Sequence, residues 1–496
     1  MSRNSTSIDI RDVSRVSQEK YAKHDVRDAI SPFMISVIFV AVYVILVTGA
    51  VTTTFLTKYL HTNDREYGII MSGIHIGVIG TLIGTYMVAR SGRTKPYFIP
   101  GVIIGRSLYI VLAIILLVFP PVQSGEHPTT LIYVTTIIIV VSFIINNFGN
   151  AGWMTWMADL IPRSIAGRLF GTRAQLSFFL QLIIGLSAPF IINIFHHSRY
   201  VYAAVFAFGG ICGVLDIMIH RKIREVKREI PHPLPSIANM LLTPWKDDFF
   251  KRIALYFFVS SIGLALMGVF TWRYCYKAMA ENGLEITFNM ANLLISIIPI
   301  ICMIVAAPIW GKAIDIFGSK ITLRSAILAH SVMPLCWAFI NVHLIDKSLI
   351  LVWLCFVAVL SGITWPGIDQ SSIFIQMKLF PNKLKVAFIT SSVLCGSGGA
   401  FIGLNLSGYL AGEYADILPN ISFLSWMSEY QLLFILAALV RFVSYLYLKY
   451  FVTFPSDKEN IVIEYTIYKY VFSNICDTIF YIFRPFKDII NYSKSR

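Results

Sequence analysis

The chain has little charge. Only 14% of its 496 residues are Asp, Glu, Lys or Arg, while 56% are apolar. A soluble domain carries roughly a quarter charged residues, so this composition excludes an ordinary water-facing surface over most of the chain. Cysteines are few and unpaired in pattern. Of Cys212, Cys275, Cys302, Cys336, Cys355, Cys395 and Cys476, only Cys275 falls near an expected outer loop. An outer disulfide is therefore excluded, and no pair has the spacing of a zinc site. The cysteines read as small apolar residues. No GxxxxGK[ST] loop, HExxH motif or paired-carboxylate catalytic set occurs in the sequence. That removes the sequence grounds for ATP-driven pumping, for an enzyme active site and for a bound cofactor or metal. A signal peptide is not expected, since the opening 29 residues are rich in Ser and charge and the first apolar run is too long for an h-region.

What the chain does have is long apolar runs. A helix rises about 1.5 Å per residue and the hydrocarbon core is about 30 Å thick, so runs of about 20 residues span a bilayer. Twelve are predicted: 33–56, 68–88, 97–118, 131–157, 174–195 and 200–219, then 253–270, 290–310, 321–342, 349–377, 386–410 and 432–451. Between the sixth and seventh lies the polar stretch Arg221 to Arg252, with eight Lys/Arg, four Asp/Glu and prolines at Pro231, Pro233 and Pro235. Alternating prolines remove amide donors and fix φ, so this part cannot be one continuous helix.

Loop cations set the orientation. If even-numbered spans end inside, the inner loops hold 20 Lys/Arg and the outer loops six. The asymmetry places both termini in the cytoplasm of a multi-pass protein of the cell membrane. It also accounts for most of the +14 formal charge without a nucleic-acid partner. The expected organisation is a cytoplasmic tail at 1–30, a six-helix bundle at 31–220, a cytoplasmic connector at 221–252, a second six-helix bundle at 253–452 and a tail at 453–496. In that last tail, Thr466, Lys469, Ser473 and Asp477 recur at helical spacing among Tyr, Phe and Ile. This pattern predicts an amphipathic helix on the inner membrane surface.

The two halves echo each other. The turn after span 8 reads Gly311-Lys-Ala-Ile-Asp315-Ile-Phe-Gly318-Ser-Lys320, and the turn after span 2 ends in Ala89-Arg90-Ser-Gly92-Arg93. Leu160-Ile-Pro162-Arg163 after span 4 corresponds to Leu379-Phe-Pro381-Asn382 after span 10. Parallel repeats of this kind occur where two bundles enclose a midplane site. With the six-plus-six pattern, the basic connector and the GxxxDxxGxK-like turn, residues Phe33 to Phe451 resemble the major facilitator superfamily. The stretch Trp153 to Arg173 is similar to the same region of bacterial permeases in that superfamily. The turn after span 2 departs from the family pattern, with Ala89 at the acidic position and Thr85 at the opening glycine. The resemblance implies an all-α integral membrane protein with 12 transmembrane helices in two pseudo-symmetric bundles. Its implied activity is transport by alternating access.

The resemblance also gives the polar residues roles. Asp159 near Arg90 and Arg93, and Lys378 near Asp315, would form cross-helix pairs that hold an inner gate. The bland reading is a set of solvated charges worth about 0–1 kcal/mol each. Within the membrane an ionisable group costs about 2.5–3.5 kcal/mol on insertion scales, so it usually faces protein or water. Asp369 follows Trp365-Pro366-Gly367, where the proline frees a carbonyl and the glycine permits a bend. In family terms, spans 1, 4, 7 and 10 line the cavity. Asn146, Asn147, Asn150, Trp153, Trp365, Asp369, Thr52 and Thr53 are then candidate cargo contacts, with Asp369, His75 and His330 as candidate coupling groups. A lone membrane His is more often a packing residue, and Arg106 and Arg441 read more readily as structural pairs or snorkelling side chains. The glycines of span 11 read as sites of close helix contact. The expected function is secondary transport of a small polar solute coupled to a proton or sodium gradient. The alternatives are an efflux pump with an aromatic and Met-lined cavity, or a sensor that signals through its tails. An epitope inserted in the connector should be reached by antibody only after cells are permeabilised; labelling of intact cells would overturn the orientation.

Overall fold

The computed structural model describes residues 23–122, 127–160, 163–225, 236–277, 279, 284, 286–340, 346–381, 385–417, 427–453 and 464–478. The alternating prolines, residues 1–22 and the segment beyond 478 lie outside the described residues. The described residues are mainly helical. The spans are α1 (Asp28–Tyr59), α2 (Asp64–Ser91), α3 (Lys95–Val118), α4 (Thr129–Asn150), α5 (Arg163–Ile194) and α6 (Arg199–His220). They continue as α7 (Asp248–Tyr276), α8 (Phe288–Phe317), α9 (Ser319–Ala338), α10 (Lys347–Lys378), α11 (Lys385–Ile417) and α12 (Glu429–Tyr450). Among the described residues, eleven helices are long and apolar enough to cross a membrane, and Phe179–Ile194 of α5 is a shorter apolar helix. The helical chain already starts at Lys23, inside the stretch expected to be tail.

Apolar residues also cover the outside. Ile114, Ile137, Phe190, Phe208 and Val352 stand exposed along the spans. In water such a surface would be costly, while in hydrocarbon it is the matching solvent. Helices suit that solvent because each satisfies its own backbone hydrogen bonds.

The chain divides into two compact units. Unit 1 comprises Met1–His61 and Ile76–Asn239, and unit 2 comprises Thr62–His75 and Met240–Arg496. In unit 1, α1 packs on α5 and α6, α4 on α2 and α3, and α3 on α6. In unit 2, α7 packs on α11 and α12, α10 on α8 and α9, and α9 on α12. The two lists are the same once six is added to each helix number, so the weak sequence echo corresponds to a repeated packing scheme.

Glycines make this packing possible. A Cβ on Gly80 would stand 2.0 Å from the carbonyl oxygen of Ile144, and one on Gly399 would stand 2.2 Å from that of Phe258. Backbone-to-backbone contact of this kind replaces the hydrophobic drive that is missing between helices in lipid. Gly92 and Gly318 do another job. They close the turns after α2 and α8 at φ 68° and 89°, which a side chain would disfavour.

Two further contacts hold the start of α3 and the helix that follows α12. In unit 1, the Glu225 carboxylate accepts from the backbone N–H groups of Thr94 and Lys95 at the start of α3. A negative charge there meets the free N–H groups and the positive end of the helix dipole. In unit 2, α13 (464–478) lies on α9 and α12. Ile467, Val471 and Ile475 are buried at helical spacing, while Tyr465 and Phe472 point outward. Tyr468 donates to the Ser325 carbonyl at 2.8 Å, and Glu464 receives the Arg324 guanidinium and the Tyr445 hydroxyl.

Burial alone would raise the Glu464 pKa, but its backbone hydrogen bond and Arg324 outweigh that and hold it below the ordinary carboxylate value. A depressed pKa gives stability that is full above the unfolded value and is lost as pH falls through the folded value. Acidification below pH about 4 should therefore release α13. Hydrogen exchange over 464–478 should rise at acid pH in the wild type and at neutral pH in Glu464→Gln. Unchanged protection in both would refute this docking.

Candidate functional site

Each unit carries a buried arginine, and the two are satisfied differently. In unit 1, Arg106 on α3 meets Asp216 on α6 through Nη1, which also donates to the Gly213 carbonyl at 2.8 Å. Both side chains are nearly sealed. Gly213 leaves space for the arginine stem, since a Cβ there would stand 2.8 Å from Arg106 Cδ. The Tyr43 ring lies 4.6 Å from the guanidinium carbon. Asp216 extends the set to His220, whose Nδ1 is 2.9 Å from the Asp216 carbonyl oxygen. Trp153 Nε1 donates to His220 Nε2 at 3.2 Å. An indole N–H can only donate, so Nε2 accepts and the His220 proton sits on Nδ1. Trp153 also stacks on Phe33, and Arg173 caps both rings at 5.3 and 4.7 Å. Trp153, a candidate cargo contact, is thus already engaged within its own unit.

In unit 2, Arg441 on α12 has no carboxylate partner among the described residues. Its Nε donates to the Gly263 carbonyl at 3.0 Å and its Nη1 to the His330 carbonyl at 3.2 Å. The second acceptor exists because residue 334, one turn on in α9, is a proline with no N–H to offer the His330 carbonyl. His330 is buried, and its Nδ1 lies 2.8 Å from Thr364 Oγ1 on α10. That hydroxyl is 2.9 Å from the Leu360 carbonyl, which accepts its proton. The His330 ring is 5.8 Å from Trp365. Arg441, His330 and Trp365 border a cavity of about 290 Å³ inside this unit.

The remaining expected residues are more scattered. Thr52 and Thr53 are buried on α1, and Thr52 donates to the Val47 carbonyl at 2.8 Å. Asn146, Asn147 and Asn150 are half-buried on α4, and Asn146 Oδ1 is sealed without a hydrogen-bond partner among the described residues. Asp369 is exposed on α10, one turn beyond Trp365, and forms no ion pair among the described residues. It is not joined to His330. His75 is half-buried near the end of the α2 segment that belongs to unit 2. Of the proposed gate charges, Arg90, Arg93 and Asp315 are exposed and show no ion pair among the described residues. The side chains of Asp159 and Lys378 lie outside the described residues.

Two clusters were not read from the sequence. One is the Asp216 arm of the Arg106 pair, for which an acid three spans on in the same bundle was the available signal. The other surrounds Asp64 in unit 2. Asp64 is 3.4 Å from Arg273 Nε and 3.5 Å from Lys277 Nζ, and it accepts from the Tyr430 hydroxyl at 2.7 Å. Lys277 also reaches Glu429 at 3.0 Å. Nearby, Gly68 and Gly408 bring their backbones together, with a Cβ on Gly68 only 2.9 Å from Gly408 Cα. By position in the sequence, Arg273 and Lys277 are two of the six outer-loop cations.

No protein-family model matches the chain, and no curated protein matches it in sequence. Solved structures do. The nucleoside transporter NupG aligns over 84% of this chain and 98% of its own, with TM-score 0.56 and 12% identity. The xylose transporter XylE from E. coli aligns over 88% and 100%, with TM-score 0.61 and 15% identity. An auto-inhibited POT family peptide transporter aligns over 89% and 99%, with TM-score 0.60 and 13% identity. The chain therefore has the fold of major facilitator transporters.

Removing one member of a buried ion pair costs about 3–5 kcal/mol, because the other charge is left in a low dielectric. Asp216→Asn should lower the melting temperature of the purified protein substantially, and adding Arg106→Met should restore much of it. A melting temperature unchanged in Asp216→Asn would show that the pair contributes nothing.

Proposed function

We propose that the protein is a secondary transporter of a small polar solute, working by alternating access and not by catalysis. The observation that carries this reading is the fold, shared over more than four-fifths of the chain with carriers of nucleosides, xylose and peptides. Intramembrane polar groups support it. Thr52, Thr53, Asn146, Asn147, Asn150, Trp365 and Asp369 all belong to helices long and apolar enough to cross a membrane, where unused polar groups are selected against by their insertion cost. Asp369 is our candidate coupling group. It is a carboxylate with no cationic partner among the described residues, and one of the similar structures is a D-xylose–proton symporter. His330 is a weaker candidate because Thr364 and the Arg441 contact already hold it. His75 remains a candidate of the same kind. Arg90, Arg93, Asp159, Asp315 and Lys378 are proposed as inner gate charges, with both termini in the cytoplasm.

One observation favours a second reading. The unit 2 cavity is bordered by Met267, Met303, Met333, Trp337 and Trp365. A cavity of that make-up suits an apolar solute, as in an exporter. Transport into proteoliposomes separates the two. Under the polar-solute reading, a nucleoside, pentose or dipeptide accumulates against its gradient when the outside is made acidic, and Asp369→Asn abolishes accumulation while leaving exchange. Accumulation by Asp369→Asn at the wild-type level would remove Asp369 from coupling. Extrusion of an apolar dye with no polar uptake would replace the first reading with the second.

A further inference from the structure

We infer that the cavity inside unit 2 is a binding site for a small monocarboxylate with an apolar body, held through Arg441. The inference goes beyond the transport reading, because it concerns binding and not passage.

Arg441 is only 2% exposed and lies midway along a membrane-spanning helix. A guanidinium cannot shed its charge by deprotonation under ordinary conditions. Two backbone carbonyls accept from Nε and Nη1, but carbonyl dipoles do not cancel a full positive charge. Nη2 has no hydrogen-bond partner among the described residues, and the side chain borders the cavity. Unit 1 offers an internal comparison. There the buried arginine, Arg106, is neutralised by Asp216 on the helix it packs against. In unit 2 the helices packed against α12 present the Gly263 and His330 backbone carbonyls to Arg441, with the His330 ring held by Thr364, and no acid among the described residues pairs with it. The missing counter-charge is thus matched by a cavity of about 290 Å³ at the same place.

Charge count selects the head group. One cation is neutralised by one carboxylate, whereas a phosphate dianion would leave excess negative charge in an apolar space. A planar carboxylate also fits the guanidinium fork. The other walls select the body. Met303, Met333, Trp337 and Trp365 offer soft and aromatic surface, with Thr271 and Ser361 as the hydroxyl groups. Short aromatic or aliphatic acids have that combination of one charge and an apolar remainder.

The test uses the full-length protein in detergent, with phenylacetate and octanoate as probes and phenylacetamide and octanol as neutral counterparts. Trp337 and Trp365 report occupancy by fluorescence, and thermal stabilisation reports it by mass action. The expected result is saturable binding of an acid, tighter than its neutral counterpart by about tenfold or more. It should be lost in Arg441→Gln and weakened in Ser361→Leu, which fills the cavity but keeps the arginine. If Arg441→Gln does not fold, the acid-to-neutral comparison on the wild type and the Ser361→Leu protein decide the matter. Equal binding of acid and neutral counterpart, no saturable binding of either acid, or full binding by Ser361→Leu would each overturn the inference. Transport is not read in any arm, so binding without uptake would leave this site standing while removing the carrier reading. Uptake without acid binding would do the reverse.

Discussion

A charge placed among lipid-facing helices must be answered from within the protein, and much of this structure follows from that demand. Water is not available to solvate Arg106, and bending it to the interface would break α3 packing. Asp216 answers it instead, and His220, Trp153 and Arg173 are then drawn in around the pair. The cluster ties α3 and α6 to the continuation of α4 and to α1 through Tyr43 and Phe33. Burying two charges is costly, so the pair is better understood as fixing which helix faces meet than as a source of stability. Asp64 plays a comparable part in unit 2, where two cations and a tyrosine hydroxyl converge on one carboxylate.

Lipid also removes the usual reason for helices to associate. Apolar side chains gain little by leaving hydrocarbon, so contact must come from shape and backbone approach. The glycines supply it at Gly80 on Ile144, Gly399 on Phe258 and Gly68 on Gly408. Prolines work with them. Pro334 frees the carbonyl that Arg441 uses, and near Pro366 the Ile363 carbonyl accepts from Trp310 Nε1 at 2.7 Å. Gly367 clears the space that Trp310 occupies. At Pro334 a local break in helical bonding thus becomes a site of cross-helix bonding, and it falls on α9, one of the helices that border the unit 2 cavity.

The repeat illustrates how a faint sequence signal and a clear structural one can coexist. Residue identity across the halves is poor, as Ala89 against Asp315 shows. What is kept is the order of packing, helix by helix. That order depends on where small residues fall and on span length, both of which tolerate wide substitution.

The all-helical class and the membrane-crossing helices were legible, eleven of the twelve expected spans being long and apolar enough among the described residues, because hydrocarbon thickness sets a length and a composition that any reader of the chain can measure. The turns at Gly92 and Gly318 were legible too, since positive φ favours glycine. The amphipathic spacing of α13 was visible as well, but not what its buried face would meet: a period specifies a face, and the Arg324 and Tyr445 contacts come from distant helices. The partners of the membrane charges were hidden for the same reason. Asp216 stands 110 residues from Arg106, and Tyr430 stands 366 from Asp64. Sequence thus determined what each helix is, through length, polarity and period. Tertiary structure alone decided which polar group faces which, because that depends on helix rotation and crossing, and neither is written into a one-dimensional pattern of residue types.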